Sequence, residues 1–208
     1  MTNAEMQLLI ATKNSGKVKE LKKLLADLPV SLRSLNDFSN LPEAEETGAT
    51  FAENARLKAS FYAVRTGLFA LADDSGLEVK ALNGAPGVFS ARYAGENASD
   101  AQRIEKLLKE LNATRDEQRR ARFVCAIAVA DASGEIQHLA EASCGGVIAR
   151  TATGANGFGY DSIFIPDGCK QTFGELSDDI KQQISHRARA IEKIIRYLHG
   201  FTAVSLDL

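Results

Sequence analysis

The 208-residue sequence has few cysteines and nearly equal numbers of acidic and basic side chains. Its three cysteines, Cys125, Cys144 and Cys169, are an odd number at wide spacings, which argues against a disulfide framework and against a zinc site. With 25 basic and 27 acidic side chains, the net charge of -2 creates no field that would attract nucleic acid or an anionic membrane. We therefore expect a protein of a reducing compartment, with no nucleic-acid and no membrane partner.

Long apolar runs are also lacking. The longest one, residues 123–130, is far too short to span a bilayer. Residues 1–5 have neither the basic nor the apolar region of a signal peptide. These features predict a cytoplasmic location. A chain of this length with 45% hydrophobic residues can bury a substantial core, either as one large domain or as two lobes that share a sheet.

The order of the hydrophobic patterns predicts an α/β protein with a mixed sheet. Segments with helical and strand-like patterns alternate in the first half, and a hairpin follows later. The predicted strands are residues 8–11, 69–72, 77–82, 122–130, 135–148 and 163–165. The predicted helices are residues 17–28, which Pro29 would end, 51–65, a helix capped by Ser99 or Asp100 and running to 111, and 185–198. Residues 36–50 and 83–95 are predicted to be loops.

Two adjacent aspartates, Asp73 and Asp74, follow the apolar residues 69–72. If the strand ends there, both carboxylates lie at the rim of a core, where desolvation and mutual repulsion oppose their ionised forms. A bound cation or a proton-transfer step would explain this placement. The alternative is a solvated turn in which the aspartates hydrogen-bond their own backbone.

A second candidate site is the loop 12–17 (TKNSGK), between the first predicted strand and the first predicted helix. A strand-to-helix turn presents free backbone N–H groups and the positive end of the helix dipole. Gly16 lets the backbone come close to a ligand, while Lys13 and Lys17 add positive charge. The pattern indicates phosphate binding, although the spacing is not that of a Walker loop. Simple capping of the helix by Asn14 or Ser15 is the alternative.

Glu45 and Glu46 are further carboxylates, in the loop before the second predicted helix. Carboxylates from separate segments, completed by water and substrate phosphates, are typical of magnesium sites. We therefore expect these glutamates to approach Asp73 and Asp74. Glu53, in the first turn of the helix, is expected only to complement the helix dipole.

Two groups of residues in the second half of the chain also indicate ligand binding. Glycines surround two aromatic side chains in residues 154–161 (GANGFGYD), so a planar ring could approach Phe158 or Tyr160. An Asn-Gly turn with core aromatics is the alternative.

If Ser185 caps the last helix, His186 and Arg187 lie in its first turn, where positive charge opposes the dipole unless an anionic or carbonyl-bearing ligand binds. An exposed histidine at a helix end is the alternative there.

Taken together, these segments resemble the inosine triphosphate pyrophosphatase family, whose members are also described as XTP/dITP diphosphatases. The resemblance runs from Leu9 to about Ile194, and six motifs in the same order make it specific. The motifs are residues 11–17 (ATKNSGK), 45–48 with 51–55 (EETG and FAENA), 72–77 (ADDSGL), 84–87 with 90–93 (GAPG and SARY), 156–161 (NGFGYD), and 175–177 through Lys181 to 185–187 (ELS and SHR).

The resemblance implies an elongated mixed β-sheet flanked by helices, two lobes with an active-site cleft between them, and a homodimer. It implies that residues 1–208 form a single nucleoside triphosphate pyrophosphatase domain. Such a domain would use Mg2+ to hydrolyse ITP, dITP and XTP to the monophosphate and pyrophosphate, and so remove deaminated purines from the nucleotide pool.

The resemblance also implies roles for individual residues. Asp74 matches the general base and a metal ligand, and Glu46, or its neighbour Glu45, matches the second metal ligand. The substrate-contacting positions of the family match Thr12, Lys13, Asn14, Ser15, Gly16, Lys17, Ser75, Phe158, Gly159, Tyr160, Asp161, Lys181, His186 and Arg187.

Three segments depart from the pattern of the family near the predicted base pocket, and they bear on base selectivity. Ser162 stands where proline is usual, residues 151–153 (TAT) replace a common proline-containing segment, and residues 144–146 (CGG) are not the usual run. Other functions stay open: a related pyrophosphatase that prefers another base, such as a modified pyrimidine, a non-catalytic nucleotide-binding module, or a phosphate-binding structural protein.

Overall fold

The computed structural model describes residues 6–204 of the chain. The strands are β1 (Gln7–Ile10), β2 (Ser31–Ser34), β3 (Phe69–Val79), β4 (Arg120–Ala130), β5 (Ile136–Ile148) and β6 (Phe164–Pro166). The α-helices are α1 (Ser15–Leu24), α2 (Phe51–Thr66), α3 (Asp100–Glu110), α4 (Asp178–Ile184) and α5 (His186–Val204). Residues 1–5, which bear on the expectation about a signal peptide, lie outside the described residues. Over residues 6–204, no helix has the length and apolar character needed to cross a membrane.

Within the described residues, six strands form one mixed sheet in the order β2-β1-β3-β4-β5-β6, and helices flank it. β1 is parallel to both β2 and β3, whereas β5 is antiparallel to β6. The predicted α/β class with a mixed sheet is therefore confirmed. The elongated shape, the cleft between two lobes and the homodimer stay predictions.

The register of β1 with β3 brings two of the sequence motifs together. Ile10 lies opposite Leu71, and the backbone N–H of Ala11 donates to the carbonyl of Leu71 across 2.8 Å. Because the strands are parallel, loop 12–17 leaves β1 beside the part of β3 that carries Asp73 and Asp74. Ligands bind preferentially at this carboxyl edge in open α/β sheets.

The chain folds as two compact units, and β3, β4 and β5 each contribute residues to both. The first unit comprises the described residues up to Asp74, Cys125–Glu141 and α5 from Arg189 onward. The second unit comprises Ser75–Val124 and Ala142–Ala188. Each has its own apolar core: Leu8, Ile10 and Leu71 are fully buried in the first, and Leu77, Leu107 and Phe164 are fully buried in the second.

The strand that carries the two aspartates continues through them, so the prediction of two strands separated at residues 73–76 is wrong. β3 runs without a break from Phe69 to Val79. Leu71 and Leu77, on either side of the polar segment, are both fully buried. A strand anchored in a core at both ends keeps its intervening backbone in the sheet, where N–H and C=O groups find partners away from water. The solvated turn is therefore excluded.

The first helix differs from its prediction at both ends. It begins at Ser15, because the side chain of Asn14 caps it by accepting a hydrogen bond from the Lys17 N–H across 3.0 Å. It ends at Leu24, before Pro29 is reached, so the proline does not end it. Leu25 and Leu28, which the predicted helix included, are instead buried in the turn that leads to β2, a strand that the pattern did not predict.

The helices α2 and α3, the β4–β5 hairpin and the short strand β6 are confirmed, with small differences at their ends. The last helix is preceded by α4, which the sequence pattern missed. Ser185 follows α4 and caps α5 by accepting the Ala188 N–H across 3.2 Å. The predicted cap of the last helix is therefore confirmed.

Candidate active site

Asp73 and Asp74 lie on opposite faces of β3, because successive side chains of a strand alternate between the two faces of a sheet. Both are buried, with exposures of 1% and 7%. Each carboxylate is ion-paired with a different lysine, Asp73 with Lys17 and Asp74 with Lys58. The repulsion expected from their adjacency in the sequence is thus offset by a separate positive charge on each face.

Asp73 is held by groups from two other elements of the first unit. Lys17, from the first turn of α1, forms an ion pair with Oδ1. The thiol of Cys125, on β4, donates to Oδ2 across 2.8 Å. The side chain of Asp73 is fully buried and that of Lys17 is 14% exposed. Solvent and salt therefore screen this attraction much less than they screen a surface pair.

Asp74 belongs to a group formed with Lys58 and Glu46, which we call the carboxylate–lysine cluster. Lys58, on α2, donates from Nζ to Asp74 Oδ1 across 2.8 Å and to Glu46 Oε1 across 2.9 Å. Glu45 is exposed to solvent. The fold therefore places Glu46, and not Glu45, beside the same ammonium group as Asp74.

The cluster alters the protonation behaviour of its members. Burial raises the pKa of Asp74 above its usual range, and the positive charges of Lys58 and Lys17 lower it without cancelling that effect. Burial disfavours the charged form of Lys58, but Asp74 and Glu46 outweigh it, so the pKa of Lys58 is raised. Lys58 thus stays protonated beside a carboxylate that accepts a proton more readily than an exposed aspartate, which suits a general base.

The carboxylates of the cluster also fit a divalent cation. The Oδ2 atom of Asp74 is buried and has no hydrogen-bond partner. Over residues 6–204, no group of three or more His, Cys, Asp and Glu side chains is arranged to hold a metal ion. Mg2+ does not require one, because it binds through one or two carboxylates and completes its shell with water and substrate phosphates. Asp74 and Glu46 are a donor set of that kind.

Loop 12–17 caps the helix α1 and also supplies a lysine that pairs with one of the two aspartates. Asn14 caps α1, and its own N–H donates to Thr12 Oγ1 across 3.2 Å. The exposed Lys13 donates to Glu43 across 2.9 Å. Lys17 reaches Asp73. Ser15 is exposed and Gly16 half-buried at the start of α1, where the first backbone N–H groups of a helix have no intrahelical acceptor.

In the second unit, residues 154–161 carry Phe158 and Tyr160, and we call this segment the aromatic loop. Asp161 makes the contacts that hold it. Its Oδ2 atom accepts hydrogen bonds from the backbone N–H of Phe158 across 2.8 Å and from Lys181 Nζ across 2.6 Å. The Lys181 ammonium lies 4.8 Å from the centre of the half-buried Phe158 ring. Gly157 has a φ of +76°, and a Cβ at that position would lie 2.0 Å from Asp161 Oδ2. Only glycine therefore fits this turn.

The start of α5 supplies two further candidate site residues of the second unit, Arg187 and His186. Arg187 is 1% exposed and donates from Nη2 to Ser75 Oγ across 2.9 Å. Its guanidinium also lies 5.7 Å from the centre of the Phe158 ring. His186 is buried, with its ring stacked on Phe123 at a centroid distance of 4.7 Å. The exposed-histidine alternative is therefore excluded.

Two predicted substrate-contacting residues make structural contacts in the second unit. Tyr160 is 4% exposed, packs in the core and donates from its hydroxyl to the carbonyl of Ser90 across 3.0 Å. The backbone N–H of Gly159 donates to Asp100 Oδ2, at the start of α3, across 2.6 Å. These bonds hold the aromatic loop against α3 and residues 87–92.

The three segments that depart from the family pattern lie in the second unit, where residues 151–153 are exposed and Ser162 is half-buried. The carbonyl of Ser162 accepts the Thr153 N–H across 2.8 Å, and Gly174 lies against both residues. Cys144 is buried in the core of this unit. The adjacent Gly146 has no room for a side chain, because a Cβ would lie 2.3 Å from the carbonyl of Ile165.

Sequence reasoning missed Lys58, the side chain that joins Asp74 to Glu46. The spacing of the apolar residues of α2 contained a signal for it, because Lys58 lies on the helix face that they form. These residues are Phe51, Ala55, Ala59 and Tyr62. A lysine in such a position is rare unless it is paired. Arg119 was missed as well: it is 2% exposed, and its guanidinium donates to the carbonyls of Leu111, Ile148 and Ala149.

The chain matches the model of the Ham1 family over residues 8–197. A protein of Desulforamulus reducens named dITP/XTP pyrophosphatase is 50% identical over 194 residues, which cover 93% of this chain and 96% of the relative. A protein of Bacillus anthracis with the same name is 48% identical over 189 residues, which cover 90% of this chain and 94% of the relative.

Solved structures show the same similarity. A HAM1 protein from Coxiella burnetii is 45% identical with a TM-score of 0.85, and the match covers 94% of this chain and 99% of that one. A structure from Mycobacterium abscessus, described as a nucleoside-triphosphatase / dITP/XTP pyrophosphatase, is 44% identical with a TM-score of 0.74, over 91% of this chain and 98% of that one.

Proposed function

Because the chain belongs to the Ham1 family, we propose that it is a nucleoside triphosphate pyrophosphatase. It hydrolyses the non-standard purine nucleotides ITP, dITP and XTP to the monophosphate and pyrophosphate, and so removes deaminated purines from the nucleotide pool. Its similarity to dITP/XTP pyrophosphatases over more than nine-tenths of their length supports this substrate class. The observation that carries the chemistry is the carboxylate–lysine cluster of Glu46, Lys58 and Asp74.

Mg2+ is the proposed cofactor, and Asp74 with Glu46 would hold it. When bound, the ion would lower the pKa of a coordinated water and neutralise charge on phosphate oxygens. The support is the chemistry of the donor set: two carboxylates from separate segments, one with a buried oxygen that has no hydrogen bond.

Asp74 is the proposed general base. Its Oδ1 atom is engaged by Lys58, which leaves Oδ2 to accept a proton from the attacking water, directly or through a second water. Its raised pKa gives it a higher proton affinity than an exposed aspartate has. The protonated Lys58 holds the carboxylate in one orientation and favours its ionised form before the reaction begins.

Loop 12–17 is the proposed phosphate-binding segment. The free N–H groups at the start of α1 and the ammonium of Lys17 would bind phosphate oxygens and take up charge that develops on the leaving pyrophosphate. Lys13 is exposed beside Glu43, so it can exchange this weak surface partner for a phosphate group. Thr12, Asn14, Ser15 and Gly16 shape the loop.

The aromatic loop and the start of α5 are the proposed base and sugar site. Phe158 offers a face for stacking, while Lys181, His186 and Arg187 supply donors and Asp161 and Ser75 orient two of them. A 6-keto purine presents an acceptor to such donors. The 6-amino group of adenine would set donor against donor, which is costly in a buried site.

A panel of nucleoside triphosphates incubated with the protein and Mg2+ tests the proposal. We expect pyrophosphate release from ITP, dITP and XTP to exceed release from ATP by several orders of magnitude in kcat/KM. Faster release from UTP or TTP derivatives would overturn the purine assignment. Binding of ITP without pyrophosphate release would instead favour a non-catalytic binding module.

The homodimer and the cytoplasmic location stay predictions of the sequence. Light scattering in solution would test the first, with a mass of twice the 22.4 kDa of one chain as the expected result.

A further inference from the structure

Asp73 is a fully buried carboxylate to which the proposed reaction assigns no role. It lies on the face of β3 opposite Asp74, so it does not belong to the carboxylate–lysine cluster. Its two oxygens are bound by different groups: Lys17 pairs with Oδ1, and the Cys125 thiol donates to Oδ2 across 2.8 Å. The carboxylate is therefore fixed in position from two other elements, α1 and β4.

Stability of the fold alone does not explain this arrangement. A buried ion pair contributes little to stability compared with apolar residues of similar size. Lys17 lies in the first turn of α1, where positive charge opposes the helix dipole. Apolar residues at both positions would avoid both penalties, so a requirement for an oriented ammonium group explains the pair better.

Lys17 requires such orientation if it binds phosphate. A free lysine side chain samples many rotamers, and holding it in one conformation before the ligand arrives removes that entropy loss from binding. Lys17 pairs with Asp73, the neighbour of Asp74 in β3, so its ammonium also lies close to the proposed reaction centre. Asp73 anchors it on one side and leaves its remaining N–H donors for a ligand.

We propose that Asp73 is a positioning residue that acts through Lys17, and that Cys125 in turn orients Asp73. The ammonium of Lys17 is thereby directed to the phosphate groups of the nucleotide and of the pyrophosphate product. This inference rests on the proposed function, since it assigns Lys17 to the phosphates.

The first test is Asp73→Asn, which keeps the size of the side chain and removes the charge that holds Lys17. We expect KM for ITP to rise about fivefold, because the side chain of Lys17 would then have to be ordered when the nucleotide binds. The loss of kcat should be smaller, because the interaction is made in both the bound substrate and the transition state. The affinity for inorganic pyrophosphate, measured by calorimetry with Mg2+, should fall by the same factor as KM rises.

A double-mutant cycle separates positioning from a merely structural effect. In the Lys17→Met background, Asp73→Asn should change KM and pyrophosphate affinity less than about twofold, because the group through which Asp73 acts is gone. An equal fold-change in both backgrounds would overturn the inference. An unchanged KM and pyrophosphate affinity in the single variant would overturn it as well.

Cys125→Ala is the second variant, which keeps the inference testable if Asp73→Asn does not fold. It should raise KM about twofold, and this effect too should vanish with Lys17→Met; an effect of equal size in both backgrounds would overturn the inference. Asp167→Asn is the matched control, since it removes an exposed carboxylate paired with Arg120 and should leave KM unchanged.

Failure of the proposed function gives a different result from failure of this inference. If the wild-type protein hydrolyses no nucleotide, the proposed function fails, and the pyrophosphate affinities still decide whether Asp73 acts through Lys17. If the wild type is active and Asp73→Asn has wild-type KM and affinity, the inference fails alone.

Discussion

Replacement of Lys58 by methionine tests the carboxylate–lysine cluster most directly. Methionine keeps most of the volume of the side chain, so little of the effect should come from a cavity. The change removes the ammonium group shared by Asp74 and Glu46. Asp74 is then left as a buried carboxylate without its nearest positive charge.

The expected loss of stability follows from the burial of the two carboxylates. Removing one partner of a buried ion pair costs about 3 to 5 kcal/mol. Glu46, with 32% exposure, can turn to water, whereas the 9% exposed carboxylate of Asp74 cannot. We therefore expect the lower end of this range, a decrease of about 3 kcal/mol in the free energy of unfolding near neutral pH.

The loss should depend on pH. The pKa of Asp74 in the folded protein is raised above its ordinary value of 3.8. In the pH window between the ordinary and the raised pKa, the folded state therefore binds more protons than the unfolded state. The free energy of unfolding therefore falls as the pH rises through the window. Lys58→Met removes the largest opposing charge, raises this pKa further and extends the window upward. The deficit relative to wild type should thus be largest at neutral pH and shrink in mild acid.

Urea denaturation followed by circular dichroism at several pH values measures both effects. Lys22→Met is the matched control: it removes an exposed lysine of α1 and should change stability by less than about 0.5 kcal/mol. A Lys58→Met deficit below about 1 kcal/mol, or one that is the same in mild acid as at neutral pH, would refute the reasoning.

Three further predictions concern single residues. Asp74→Asn should lower kcat at least about 100-fold while calorimetry still detects ITP binding; a wild-type rate would exclude Asp74 as the base. Gly157→Ala should destabilise the protein by about 1 to 3 kcal/mol and raise KM for ITP, because a Cβ would displace Asp161; wild-type melting and kinetics would contradict this. Arg119→Met should lower the free energy of unfolding by about 3 kcal/mol without changing KM, since the carbonyls of Leu111, Ile148 and Ala149 each lose a hydrogen bond from the guanidinium; a neutral effect in urea denaturation would contradict it.

Local patterns in the sequence were sufficient for much of the fold. The helix over residues 51–65 and the Ser99 cap of α3 depend on spacing and capping within one segment. The hairpin of β4 and β5 likewise has its turn within a few residues of both strands. These elements were predictable because the interactions that select them lie close together along the chain.

The errors occurred where distant contacts outweigh local preference. Asp73-Asp74-Ser75-Gly76 has the composition of a turn, but buried residues on both sides keep it within β3. Lys58 and Arg119 are of residue types that usually lie on the surface, yet both are buried and hydrogen-bond to partners 12 to 30 residues away. Lys58 donates to Glu46 and Asp74, and Arg119 donates to the carbonyls of Ile148 and Ala149. No local pattern contains those partners.

The sequence by itself determined the class of fold and the set of polar residues available for chemistry, because motifs and periodicity are local properties. Only the tertiary structure decided how the two aspartates are used. The continuation of β3 turns them to opposite faces, and its neighbours then bring Lys17 and Cys125 to Asp73 and Lys58 to Asp74. Side-chain direction along a strand depends on whether the strand continues, and that depends on packing far away in the sequence.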